Sequence, residues 1–492
     1  MASAELQAAL AAHRFGLGEP SLAPIASDPR GWLLAQIAPA SPQRGSQLAS
    51  GVEGVRRYAQ FLAQRTEAAQ ALRAGSAAST ASAASAAMAD TRATEQQFAE
   101  QFRSIVQSDV RARLSTAALS VQPFNERLAL FWANHFTVSI AKASARGMAG
   151  AFEREAIRPH IAGRFETLLK AAVRHAGMLR YLDNDSSAGP DSALVRRQAR
   201  RARPEGVAPP RITGLNENLA REVLELHTLG VAGGGAGYGG WGGYTQGDVT
   251  AFAGVLTGWR VPVARTLTAS TGSDATRFEP DWHQPGAKTL LGRSYAEGPQ
   301  ALDEVLADLA RHPSTARFLA FKLARHFVAD DPPPALVARL EASYRSSDGD
   351  LSALYRALLQ SPEAWAAAAA KLKTPEEFVI STVRVLGLGE DAFGRQPDAG
   401  IGFLGQRVQA APSPAGWPDR AEDWLGPDAV WKRVEWATRV AARAGSAQDA
   451  RALARASLGP LLHDDSARQI ERAADGAQAM ALLLMSPEFQ RR

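Results

Sequence analysis

Seven side chains able to do chemistry fall inside one run of the sequence, between Gly214 and Gly230: Asn216, Glu217, Asn218, Arg221, Glu222, Glu225 and His227. They crowd into about four helical turns. At about 100° per residue, Asn218, Arg221, Glu222 and Glu225 share a face that Glu217 continues. Leu219, Ala220, Val223, Leu224 and Leu226 form the opposite stripe, with His227 in its middle. Two groups are therefore expected: a carboxylate, Asn and Arg face that can line a site, and a core histidine bonded to a carbonyl.

Glu222 and Glu225 on one face suit acid–base work or ligation of a hard cation, with Arg221 beside them as a further catalytic candidate. Asn218 and Asn216 are candidates to hold an anionic substrate. Two histidines from elsewhere can complete such a centre: His283, next to Asp281 in a loop, as an acid–base group, and His135, after Phe131-Trp-Ala-Asn, as a substrate contact. Asp183, in the oxygen-rich Tyr181-Leu-Asp-Asn-Asp-Ser-Ser run, joins Glu222 and Glu225 as a third metal-ligand candidate, although such runs also make Asx turns. With no cysteine in the chain, the favoured ions are Mg²⁺, Mn²⁺, Ca²⁺ or non-haem iron. A structural alternative stands beside this one. Glu217, Arg221 and Glu225, spaced i, i+4 and i+8, also make an ordinary ladder of ion pairs worth about 0.2–0.5 kcal/mol each.

The elements that must position these groups are helices. The 214–230 run is bounded by Gly214 and Gly230, with Asn216 or Asn218 able to cap its start. Helical patterns also cover 4–40, 52–120, 122–139, 147–182 and nearly all of 299–492. The exception is 259–293, which loses the helical period and reads as a small β-hairpin region. The expected fold is mainly α: one large helical unit over 1–492, with sub-regions at 1–213, 214–298 and 299–492. Small side chains in 74–90 and basic, Pro-containing sequence in 196–213 mark flexible or linker segments.

Absence of cysteine removes thiol nucleophiles, disulfides and zinc–thiolate sites. A net charge of +5 over 492 residues is mild, and the arginine cluster at 196–211 has no interleaved aromatics, so nucleic-acid binding is not expected. Nor is a membrane helix expected. The first residues lack a basic stretch before an apolar one, which makes the cytoplasm the default location.

Several runs together carry a resemblance. Arg14-Phe-Gly, Phe131-Trp-Ala-Asn-His-Phe-Thr-Val138, Met178-Leu-Arg-Tyr-Leu-Asp183 and Asn216 to Gly230 are joined downstream by Tyr244 to Asp248, Leu256 to Trp259 and His283 to Gly292. Lys322 to Asp331, Gly416-Trp-Pro418 and Ser486-Pro-Glu-Phe489 complete the set. Over nearly its whole length the chain resembles the bacterial uncharacterised family called domain of unknown function eighteen hundred. The resemblance implies a partner, an exported hydrolase-like protein encoded alongside, and with it the possibility of periplasmic work by co-export. It also implies an Asp after the hairpin histidine, where this chain has Gln284, so that Asp281 would have to serve from the other side. Two functional expectations follow: a metal-assisted hydrolase or oxidoreductase built on the 214–230 helix, or a non-enzymatic binding or scaffold partner.

Overall fold

The computed structural model describes the chain except residues 1–2, 78–80, 201–213, 232–242, 263–274, 367–368 and 445–447, and except the side chains of 71–88, 90, 91 and 94. The fold is mainly α, as expected, and the 259–293 region carries the strands. Trp259–Arg260 pairs antiparallel with Arg277–Phe278, and Lys288–Leu290 with Arg293–Tyr295. The low-complexity stretch is helical as far as Ala77 and again from Ala81, and the basic stretch is helical to Arg200. The glycine-rich run after Gly230 lies outside the described residues.

Local chemistry sets the helix boundaries. Thr245 and Asp248 form a reciprocal capping box that starts Gln246–Leu256, and Thr374 with Glu377 does the same for Pro375–Val385. Ser486 caps Pro487–Gln490 by accepting from the Phe489 amide. The stretch expected to be helical over 147–182 is helical in several pieces, with the α-helices Phe165–Arg174 and Ala176–Tyr181 following a run of short turns. Ala149–Phe152 is α, Glu153–Ile157 is π and Arg158–His160 is 3₁₀, ending where Pro159 withholds an amide.

Two hydrophobic clusters form the interior. The first takes residues from Ala8 through Phe124–Val138, Leu219–Leu256 and Ala301 to Trp365. The second joins Leu17 and Val110–Ala118 to Phe378–Phe489. Between them the chain buries charge. Arg113 reaches Glu153 on one side and Glu376 on the other, the latter at 2.7 Å, while Arg158 holds Glu126 at 2.7 Å. Glu377, 6% exposed, sits between Arg127 at 2.5 Å and Arg492 at 3.0 Å. A short pairing of Lys371–Lys373 with Gln490–Arg492 holds that last arginine in place: the Lys373 amide donates to the Gln490 carbonyl at 2.9 Å, and the Arg492 amide to the Lys371 carbonyl at 2.9 Å.

Burial opposes ionisation of Glu377, but Arg127 and Arg492 outweigh it and hold the carboxyl well below its ordinary 4.5. Removing that charge strands two buried guanidinium groups. Glu377→Gln is expected to cost about 3–5 kcal/mol of stability by urea denaturation. Because the folded pKa is depressed, the wild-type contribution is complete above about 4.5 and fades as pH falls below it. A loss below about 1 kcal/mol at neutral pH would mean that the pair is solvated and holds nothing together.

Candidate functional site

The 214–230 run is helical, as expected. Asn216 Oδ1 accepts from the Asn218 amide at 2.9 Å just ahead of the helix, whose cap position is Glu217. The α-helix then lasts only from Asn218 to Glu222, and Val223–Thr228 is a π turn. A π turn closes i→i+5 bonds, so spacing at 100° per residue does not extend past Glu222. His227 is 0% exposed, as expected of a core residue. Its expected carbonyl bond is not formed: among the described residues neither ring nitrogen has a partner. Burial, then Lys322, pushes it down to about 3, so it is neutral.

On the polar face Arg221 reaches Glu217 at 3.3 Å and Gln246 at 2.9 Å, leaving the Glu222 and Glu225 carboxyls to each other and to tyrosines. Tyr244 Oη lies 3.5 Å from Glu225. Glu222 is half-buried; burial first, then Glu225, pushes its carboxyl up to about 7, with Arg221 pulling the other way. Asn218 is exposed.

The other expected members go elsewhere. Asp183, at φ 59°, is bound by Lys142, and its carbonyl accepts from Ser186 Oγ at 2.9 Å, a turn rather than a cation loop. His283 is spent between the Thr257 carbonyl, 2.7 Å from Nδ1, and the Lys288 ammonium, 2.9 Å from Nε2. Asp281 does not serve it; it is exposed and pairs with Arg197 at 2.6 Å. Gln284 instead exchanges two hydrogen bonds of 3.0 Å with Asp191. Among the described residues no group of three or more His, Asp or Glu is placed to hold a metal ion, so Glu222, Glu225 and Asp183 do not assemble as a ligand set.

His135 is the expected contact that does open on a cavity. The cavity holds about 430 Å³ and lies where the two clusters meet, bounded by the end of Pro123–His135, by Lys322, Arg325 and His326 of Pro313–Phe327, by the charged junction, and by the 406–419 segment. That segment is tied down by main-chain geometry. Asn134 mimics a backbone strand, donating from Nδ2 to the Trp417 carbonyl at 2.9 Å and accepting the Trp417 amide on Oδ1 at 2.8 Å. Gly416 has φ 84°, and a Cβ there would stand 2.4 Å from the Asn134 carbonyl oxygen, so only glycine lets the two chains approach. Ser139 and Ile140 add bonds of 2.9 and 2.8 Å to the Ala411 and Gln409 carbonyls.

At the centre His135 Nε2 donates to the His227 carbonyl at 3.1 Å, and Nδ1 faces Lys322 Nζ at 3.1 Å. One tautomer satisfies both: Nε2 carries the proton, and the lysine donates to Nδ1. The π turn matters here, because it is the His227 carbonyl that fixes the ring. Burial, then Lys322 and His227, keeps His135 far below 6.5, so it stays neutral. Burial pushes Lys322 down to about 8, against Asp419 and with Arg325. Two further cavity-lining groups have unmet hydrogen bonds among the described residues, His326 Nε2 and Gln409 Oε1.

Seven of the 55 basic residues in the chain are lysine. Lys142, Lys170, Lys371 and Lys432 each pair with a carboxylate, whereas Lys322 and Lys288 each meet a histidine ring, of which only the Lys322–His135 pair lies on this cavity. The sequence reading passed over Lys322, Asn134 and Trp417 as chemistry, although each lies in a run that carries the family resemblance. Their separations, 187 residues for Lys322 to His135 and 283 for Asn134 to Trp417, left no local spacing to find.

Fold and cavity together define a mainly helical protein with a charged internal pocket between two cores. The chain belongs to the family described as protein of unknown function (DUF1800), whose model matches residues 10–491. No curated protein and no solved structure matches it.

The raised Glu222 carboxyl has a consequence that can be measured. Its folded pKa lies above the ordinary 4.5, so the native state binds more protons and loses stability as pH rises from 4.5 through about 7. Glu222→Gln is expected to melt higher than wild type at about pH 8, with the gap closing by about pH 5 in thermal scans. A gap independent of pH would show that the carboxyl titrates normally.

Proposed function

We propose that this protein is an enzyme acting on a small molecule in the 430 Å³ cavity, with the Lys322 amine as the reacting group. Its volume falls within the range of about 300–1,000 Å³ typical of ligand pockets. The observation that carries the reading is the Lys322–His135 contact: an amine at a cavity wall, donating to a neutral ring nitrogen at 3.1 Å with no carboxylate in contact among the described residues. A desolvated lysine held this way supplies unprotonated amine near neutral pH, as base or nucleophile, a role that arginine cannot fill. His135 orients the amine; its own proton is committed to the His227 carbonyl. His326 and Gln409 line the same cavity. Toward a carbonyl compound the step is imine formation: Lys322 Nζ bonds to the carbonyl carbon, and the oxygen leaves as water with the two amine protons.

A second reading rests on Glu222, half-buried beside Glu225 and near neutrality in its titration. The pair would pass a proton beside the same π turn whose His227 carbonyl fixes His135.

Reductive alkylation tests the first reading. The intact protein is treated with a small aldehyde and cyanoborohydride across pH, and the seven lysines are followed by peptide mass mapping. Lys322 should label with a midpoint near 8. His135→Ala should move the Lys322 midpoint, because the amine loses its acceptor. Labelling of Lys322 no faster than Lys432 at neutral pH would sink the proposal.

A further inference from the structure

A second cavity, of about 800 Å³, lies within the other cluster, against Pro427–Ala444. Its inner wall is apolar: Val383, Leu388, Trp436 and Val440 face it. Across from these runs 391–403, and that wall is preformed. The Asp398 carboxylate accepts the Gly400 and Gly402 amides at 3.2 and 3.0 Å, and Trp436 Nε1 donates to the Ala399 carbonyl at 2.9 Å. Gly400 has φ 92°, and a Cβ there would come within 2.8 Å of Trp436 Nε1. Arg111 adds bonds of 3.2 Å to the Phe393 and Gly394 carbonyls. Phe403 stands at the mouth, 38% exposed, with the Arg439 guanidinium 4.5 Å above its ring.

Charge on the rim is lopsided. Arg439 is paired with Glu435 at 3.2 Å, but Arg395 and Arg443, both exposed, have no ion-pair partner among the described residues. The carboxylates on this cavity are Asp391 and Asp398, and Asp398 is already committed to two amides. An apolar slot of ligand size, open at a mouth with two unpaired guanidinium groups and an exposed phenylalanine, has the chemistry of a site for a molecule with an oily body and an anionic head.

We propose that this cavity binds an amphiphilic carboxylate of the fatty-acid class, its chain against Trp436 and Val440 and its head at Arg395 and Arg443. The site is separate from the Lys322 cavity and does not depend on any reaction there.

The test is displacement of a dansyl-labelled fatty acid from the intact protein by decanoate and, in parallel, by decanol. Decanoate should compete well and decanol poorly on the wild type. In the Arg395→Ala, Arg443→Ala double variant, which removes no ion pair among the described residues, decanoate should weaken by about tenfold or more while decanol is unchanged. Val440→Trp, which fills the slot, should abolish displaceable binding of both. Decanoate affinity unchanged in the double variant, binding that persists in Val440→Trp, or no binding to the wild type would each overturn the proposal.

Discussion

Everything in this fold depends on ion pairs that water does not reach. Glu377 between Arg127 and Arg492, and Arg113 between Glu153 and Glu376, lie where two hydrophobic clusters come together. A buried charge is tolerated only with a partner at contact distance, so these pairs define the register of the junction more sharply than apolar packing does. Each ties segments far apart in the chain: Arg113 comes from the Ala81–Leu119 helix, Glu153 from a π turn and Glu376 from the start of Pro375–Val385. The pairing of 371–373 with 490–492 exists to deliver Arg492 to Glu377.

The His135 cavity lies at this junction, lined by the paired charges Arg113, Glu153, Glu376 and Glu377 as well as by apolar side chains. Its walls inherit the same physics. Burial and neighbouring cations keep His135 and His326 neutral there, for His326 against the pull of Glu377. Lys322 has an acceptor but, among the described residues, no carboxylate in contact, and burial pushes its ammonium down to about 8. The π turn at Val223–Thr228 contributes at a distance, through one carbonyl that sets the tautomer of His135.

Much of the secondary structure was legible because its signals are local. Capping boxes at Thr245 and Thr374, the Asn216 hydrogen bond to Asn218 and the glycines at 214 and 230 act within one turn of the residues they organise. The burial of His227 was legible too, since it follows from the apolar stripe in which it stands. The rest of the site was not. His283 and Asp183 were plausible members until Thr257, Lys288 and Lys142 claimed them, and none of those three is placed by helical periodicity. The π turn was hidden for a different reason: its one local signal, Thr228 Oγ1 donating to the Val223 carbonyl at 2.7 Å, comes from a residue type that ordinary α-helices also carry.

By itself, then, the sequence determined a mainly α chain with a small hairpin region, the face of the 214–230 helix that goes inward, and the exclusion of thiol chemistry. Those properties follow from side-chain type and from spacings of a few residues. Tertiary structure alone decided which polar groups meet. Lys322 and His135, or Asn134 and Trp417, carry no sign of each other in the sequence, because an ion or hydrogen bond between distant residues is specified by the packing of every element between them. The same packing sets the dielectric around each group, and so decides whether a histidine or lysine there is charged.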